Sequence, residues 1–584
     1  MELSARKEYL LIDLTRRQYE GREIPSHVLQ DYPRGMSLAT FLLSHHQQPR
    51  IDSFASESVI VMSPGLLAGT PYPGATTCAL AGKSPLTGFW AGGSMTGGFA
   101  WALARCGWAA LVITGRSPAW SYVLVDEGRV FFRDATHVLG LSLRRTREEL
   151  KNAWGATSAV LGIGRAGELQ VRFSGLSDGS PGRGVRGGLG AVFGAKSLKA
   201  VVVRPNQGVP VQEPSAFLER IEATVKSLGT SDDTAGSLTV LRRLDQEEAL
   251  PACNFQTLTS NDNWLSDLER LPVKKHACIG CPMSCLQTVP LDKDGSDDPP
   301  RIDLPLVPEH LWAVGPLLGL YSMKDISLIL GNCLDLGLEP VSFGGVAAWV
   351  CECLEKGISL GVEFGGFSGF GDSSRLSTLP SEVVNDPEKR ELLGLGAKAA
   401  AEKVGGAARA LAVHFQMLEL TYADPRRNFW PLSYLSPLVD LTTLAESMDA
   451  GAHDDNRAEY LIRLEDQWAL WQVLGVCPGA AKAQEDLLES FPTCLNLLDG
   501  PEVSPGALKD LGKKLLGLVK DFDRREGWRP RGQHLAEKFF LEELAGPKAL
   551  YPALDRESWY QSYREYFSLR GWVDDGEAEA AEES

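Results

Sequence analysis

Three cysteines within eight residues constrain this chain more than any other feature. Cys278, Cys281 and Cys285 stand at C-x2-C-x3-C spacing inside the stretch His276 to Cys285. One turn of backbone at that spacing lets three thiolates converge on a single metal centre. A [4Fe–4S] cluster is normally held by four cysteines, so a fourth ligand is required. Cys477 is the candidate: it follows the helical stretch 466–474 and sits in a Gly-x-Cys-Pro-Gly turn that presents its thiolate. That pairing would staple the middle of the chain to its C-terminal part. The rival is a structural zinc site, with His276 or a distant cysteine as fourth ligand. Zinc sites more usually repeat a C-x2-C pair.

The other cysteines do not form a disulfide framework. The chain has 584 residues and 11 cysteines, and those outside the triplet are scattered. This is the pattern of a reduced compartment with one metal site. The length allows two to four domains. A net charge of −17 argues against nucleic-acid binding and leaves room for a local basic patch facing an acidic redox partner. No secretory leader is visible, and no apolar run reaches the ~18 residues of a spanning helix. A cytoplasmic chain without a membrane partner is expected.

Residues up to about 206 read as rich in strands and glycine. Strands are expected at 9–14, with a hairpin arm at 16–20, and at 58–62, 109–114, 122–125 and 199–203. Two Gly-rich loops, 83–94 and 182–191, interrupt them. A linker at 207–212 precedes a change of character. Beyond Pro214, helical periodicity is expected at 217–227, 324–336, 345–356, 388–404 and 508–522. Two further loops are expected at 292–298 and 364–373, and the acidic end, 573–584, reads as a disordered tail.

Gly162-Ile163-Gly164-Arg165-Ala166-Gly167 matches G-x-G-x-x-G literally, but an alternating strand, 169–173, is expected next where a dinucleotide fingerprint needs a helix. A β-turn is the reading adopted. In the second Gly-rich loop, Arg186 stands beside Gly187 and Gly188. An arginine next to glycines whose backbone allows close approach suits a phosphate or a pterin. The plainer reading is a tight loop with a solvated arginine. Glu309 and His310 precede a helix-like apolar stretch, and Asp424-Pro425-Arg426 is a turn signal; for all three residues capping and surface roles are common.

Taken together, these residues resemble the aldehyde:ferredoxin oxidoreductase family, the tungsten bis-pterin enzymes. The resemblance rests on Gly69 to Gly74 followed by Lys83 to Gly88, on Gly187 to Ala200, on the cysteine triplet with Pro282, and on Leu474 to Cys477. It implies an α+β fold. An N-terminal β-rich pterin-binding base (1–206) would be followed by two mainly α-helical domains (213–410, carrying the cysteines, and 411–572). It implies a [4Fe–4S] cluster on Cys278, Cys281, Cys285 and Cys477, beside a tungsten (or molybdenum) bis-pterin. The pterins would lie along Gly93, Arg186, Gly187, Gly188, Leu338, Glu339 and Val476. Glu309 would stand in the active-site wall. The implied reaction oxidises an aldehyde, or a related oxo compound, to a carboxylic acid and sends electrons through the cluster to ferredoxin or a ferredoxin-like subunit. A homodimer is compatible with this.

Departures accompany the matches. An arginine of the first loop is replaced by Thr77 and an asparagine by Met95. Of the two acidic pterin motifs, the first reads Leu334 to Glu339 and the second has Gln472 where an aspartate is usual. The stretch Ser436 to Asp440 lacks the expected histidine, and none occurs before His453. These changes motivate an alternative: a cluster-bearing paralogue that has lost the pterin and serves as an electron-transfer or assembly subunit.

Overall fold

The computed structural model describes residues 7–180, 184–228, 238–259, 263–292, 301–429, 457–482, 484, 487–498, 504–529 and 535–572. Outside them fall Gly182, Arg183, most of the loop 292–298, Ser436 to Asp440, His453 and the acidic end.

The first part of the chain builds two sheets. Strands β1 (Glu8–Asp13), β2 (Gln18–Glu23), β3 (Ile60–Pro64), β4 (Thr77–Lys83), β5 (Trp90–Thr96) and β6 (Ala110–Thr114) form one, in the order β2-β1-β6-β3-β4-β5. Strands β7 (Ser121–Asp126), β8 (Arg129–Asp134), β9 (Ala159–Gly162) and β10 (Leu198–Val203) form the other, in the order β8-β7-β10-β9. Strand alternation decides which core each side chain enters. Leu10, Ile12, Ile60, Met62, Leu111 and Ile113 face Val123, Val125, Leu161, Val201 and Val203 in a core shared by the two sheets. Their neighbours Tyr9, Val61, Ala110 and Val112 point to the opposite face and join the large core shared with the helices. Both faces of the larger sheet are therefore buried, which explains why β3, β4 and β6 are almost continuously apolar.

The strands expected at 9–14, 58–62, 109–114, 122–125 and 199–203 form with ends shifted by up to two residues, and the hairpin arm expected at 16–20 is β2, which runs on to Glu23. The first Gly-rich loop does not remain a loop. Its second half is β5, paired along its whole length with β4, and only residues 84–89 turn. Glycine is needed inside this strand because a Cβ on Gly92 would fall 2.4 Å from the Trp90 ring and 2.5 Å from the Leu80 carbonyl. The second Gly-rich loop likewise ends in a helix, Leu189–Ala195. The strand expected at 169–173 does not form. A single helical turn, Arg165–Glu168, follows β9, and Leu169 closes it by donating to the Arg165 carbonyl.

Beyond residue 207 the helices take over. The stretch 207–212 is tied down: Val211 bridges Leu498, and the Gln212 N–H donates to the Leu497 carbonyl at 2.9 Å. The expected helices appear as Pro214–Leu228, Met323–Leu336, Pro340–Glu355 and Pro505–Glu526. The one expected at 388–404 is two, Pro387–Leu393 and Ala397–Val404, separated by Gly394-Leu395-Gly396 with Gly396 in the left-handed region. Pro340–Glu355 is buried from Pro340 to Cys353 and forms the axis of the helical part. Among the described residues no single helix is long and apolar enough to cross a membrane. The pair Pro308–Leu318 and Met323–Leu336, apolar in composition, is bent by 118°.

Candidate functional site

The four candidate cysteine ligands come together although they arise from two distant segments. Cys278, Cys281 and Cys285 lie between two strands of a small sheet, Lys274–His276 and Leu286–Asp292. The turn is tightened by a bond from the Cys281 N–H to the Cys278 carbonyl at 3.0 Å. Gly280 is left-handed, and a Cβ there would press on the backbone of Pro71. Cys477 sits just past the helix Arg457–Leu474, its N–H donating to the Gly74 carbonyl at 2.9 Å. The loop of the base between β3 and β4 is thus the platform on which both cysteine segments rest.

The thiols sense one another. Burial raises Cys278 and Cys285 to about 12, and in both cases the next cause is Cys477. Burial also raises Cys281, with Cys477 again contributing and the Met283 and Gly74 backbone opposing. Yet among the described residues no three His, Cys, Asp or Glu side chains close in tightly enough to hold a single ion. Four thiols in mutual electrostatic reach match in number the four cysteines that normally hold a [4Fe–4S] cluster.

A second group of polar residues lies where loop 184–188 meets the helical part. Gly187 and Gly188 are both left-handed, and a Cβ on Gly188 would fall 1.8 Å from the Arg172 carbonyl. Ser84 donates its hydroxyl to the Gly187 carbonyl at 2.9 Å, joining the two Gly-rich segments. Val185 packs over the position a Cβ on Gly93 would take. Arg186 reaches across to the helical part. Its Nε donates to Glu339 at 3.2 Å, and its Nη2 to the Glu419 carbonyl at 2.8 Å and the Ser342 hydroxyl at 3.4 Å. Glu339 in turn caps the helix Pro340–Glu355, accepting the N–H groups of Val341 and Ser342 at 2.9 and 2.8 Å. Burial works against its charge, but Arg186, His310 and these two N–H groups hold its pKa below the usual carboxylate value. Leu338, preceding it, bridges Ser174. Glu309 and His310 are both buried on the helix Pro308–Val314, and His310 Nε2 stands 4.0 Å from Glu339 Oε1.

The structure therefore draws most of the sequence candidates into two groups. Cys278, Cys281, Cys285, Cys477 and Val476 gather on the loop 71–77; Arg186, Leu338 and Glu339 meet at the cap of the helix Pro340–Glu355, with Gly187 and Gly188 next to Arg186 on its loop, whereas Gly93 lies beside Val185 and Glu309 on the helix Pro308–Val314. Thr77 holds the first group in place: its hydroxyl donates to the Gly475 carbonyl at 2.6 Å. Asp424 is not part of either group and forms a fully buried pair with Arg426 at 2.8 Å. Glu419 was not legible in advance, since nothing in the sequence distinguishes it from a surface glutamate. It is 2% exposed, one oxygen accepts the Ala397 N–H at 2.9 Å, and burial raises its pKa. Its other oxygen closes no hydrogen bond, although the Ser342 hydroxyl and Arg186 both act on the carboxyl to oppose that rise. The Gln472 Oε1 and the Ser94 hydroxyl are likewise buried without a partner. Unspent buried polar atoms on three segments are costly, at roughly 1–3 kcal/mol each, unless something satisfies them. Each is an acceptor or donor that a polar ligand could satisfy, and at Gln472 an amide oxygen stands where the family resemblance has a carboxylate.

A β base with helices packed over it, and thiols gathered at their junction, is compatible with an oxidoreductase class of protein. Residues 9–205 match the aldehyde ferredoxin oxidoreductase N-terminal domain, and residues 217–582 match domains 2 and 3 of the same enzyme. The chain belongs to the aldehyde ferredoxin oxidoreductase family. It is similar to the tungsten-containing aldehyde ferredoxin oxidoreductase of Thermococcus kodakarensis, 26% identical over 97% of this chain and 96% of the relative. It is also similar to the WOR-like subunit of an aliphatic sulfonate oxidoreductase from Pyrococcus furiosus, 23% identical over 97% and 94%. The fold matches the active site complex BamBC of benzoyl coenzyme A reductase, with a TM-score of 0.82, 22% identity, and 98% and 95% of the two chains covered.

Proposed function

We propose that this oxidoreductase converts an aldehyde, or a related oxo compound, to a carboxylic acid and delivers the electrons to ferredoxin or a ferredoxin-like subunit. The observation that supports it best is the gathering of four thiols from two distant segments on one loop of the base. When bound, a tungsten (or molybdenum) bis-pterin and a [4Fe–4S] cluster supply the two-electron oxidation and its division into single electrons. The chain's own residues hold, orient and exclude water. Cys278, Cys281, Cys285 and Cys477 are the proposed cluster ligands. Gly187 and Gly188 let the loop 184–188 lie tight against Ala91 and Arg172, and with Gly93 they form the proposed pterin wall, Gln472 and Val476 being on the cluster side. Arg186 and Glu339 lock the loop 184–188 to the helical part, and Leu338 is carried with them. Glu309 lies in the proposed substrate wall. His310 Nε2 faces Glu339 Oε1 at 4.0 Å. The division into a base (1–206), two helical domains (213–410 and 411–572) and a terminal tail belongs to the same proposal.

The alternative, a paralogue that keeps the cluster without a pterin, draws on Thr77 and Gln472, where two charged side chains of the family pattern are missing. An anaerobic assay of short aliphatic and aromatic aldehydes with an artificial one-electron acceptor separates the two. Aldehyde-dependent reduction supports the enzyme. Metal-replete protein inert toward the whole panel refutes it.

A further inference from the structure

Adjacent threonines at the start of β4 differ in what they bind. Thr77 spends its hydroxyl on the Gly475 carbonyl at 2.6 Å. Thr76 does not: it is 1% exposed, and its hydroxyl is buried with no hydrogen-bond partner. Its backbone is fixed, because the Thr76 carbonyl accepts the Gly97 N–H at 2.9 Å. On one side of it, Gly74 holds the Cys477 N–H; on the other, Thr77 holds Gly475. Thr76 thus stands in the chain between the two residues through which the base grips the Cys477 segment. The Cys278 sulfur lies within its electrostatic reach, although no bond is closed between hydroxyl and neutral thiol. A buried hydroxyl with nothing to donate to is costly, and the cost disappears if the neighbouring sulfur becomes an anionic acceptor.

We propose that Thr76 is a positioning residue that donates its hydroxyl hydrogen to the Cys278 sulfur once that sulfur is a cluster ligand, and so sets the cluster's reduction potential. This rests on the cluster assignment above. Reduction adds one electron to the cluster and its sulfurs, so a hydrogen bond to a ligand sulfur stabilises the reduced state more than the oxidised one. Thr76 therefore raises the potential. It does so on the Cys278 side, while the backbone of Gly74 faces Cys281.

The test is an EPR-monitored redox titration of anaerobically purified full-length protein, with iron content measured on the same samples. Thr76→Val keeps the shape and removes the donor; its cluster should titrate at a more negative potential at unchanged iron content. Thr76→Ser keeps the donor and should return toward the wild-type potential. Full iron content with an unchanged potential in Thr76→Val overturns the proposal. A shift that Thr76→Ser shares to the same extent also overturns it, since that would report packing rather than donation. A wild-type protein with no reducible cluster fails earlier, and sinks the cluster assignment itself.

Discussion

Glu339 combines three tasks in one carboxylate: it caps a buried helix, holds Arg186 from the base and faces His310. Glu339→Gln keeps the shape but removes the charge that these donors stabilise. It should cost roughly 1–3 kcal/mol, read as a lower urea midpoint with unchanged slope. The pH dependence has a definite sign. The folded-state pKa of Glu339 lies below the usual value of 4.5. Its contribution is therefore present above pH 4.5 and is lost as pH falls through the depressed folded value. His46 acts over a neighbouring range. Burial first, then His45 and Arg22, lower it from 6.5 to about 4. Stability tied to its neutral form is present above pH 6.5 and is lost between there and about pH 4. Denaturation midpoints measured across that window should fall with pH, and His46→Gln should flatten the slope. An unchanged slope would mean that another group titrates there.

At the scale of elements, periodicity was a good guide wherever one face packs and the other is wet, as in Pro214–Leu228 and Pro505–Glu526. It failed where glycine sits inside an element for steric reasons. In β5, Gly92 and Gly93 suggest a loop, but the strand has glycine at 92 because the Trp90 ring and the Leu80 carbonyl leave no space for a larger residue. The split of 388–404 was obscured in the opposite way, by apolar spacing that runs on through Gly394 and Gly396. The site was legible in part for the same reason. Cysteine spacing is local chemistry and needs no fold to be read, whereas Glu419 and Thr76 gain meaning only from what surrounds them. Two glycine substitutions test this steric account. Gly475 has φ +68°, and a Cβ there would lie 2.5 Å from the Gly65 Cα. Gly475→Ala should cost more than about 1 kcal/mol and lower iron content together with the melting temperature. Gly517, inside the helix Pro505–Glu526, has nothing within 4 Å of an added Cβ. Gly517→Ala should stabilise the fold by about 0.5–1 kcal/mol. If both variants behave alike, the close approach of 65 and 475 does not matter.

The whole molecule is organised around a junction. The sheets of the base offer a loop, 71–77, to two cysteine segments that the chain reaches much later. Arg186 makes a second crossing to the helical part. Both crossings consist of groups that the family resemblance would assign to cofactors, yet here several of them bond to the protein itself. Thr77 binds Gly475 and Glu339 caps its own helix, while Gln472, Ser94 and one oxygen of Glu419 remain unspent. The proposed cluster rests on the four thiols and the proposed pterin on these unspent groups, so the two assignments can fail separately. Cys477→Ser tests the first. It should reduce iron content and alter the EPR spectrum as strongly as Cys281→Ser, and an intact cluster would refute the remote ligand. The most direct test of both together is metal analysis of anaerobically purified wild-type protein. The account predicts about four irons per chain accompanied by tungsten or molybdenum. Iron without either metal would contradict the pterin assignment, and zinc in place of iron would contradict the central claim that the four thiols hold an iron–sulfur cluster.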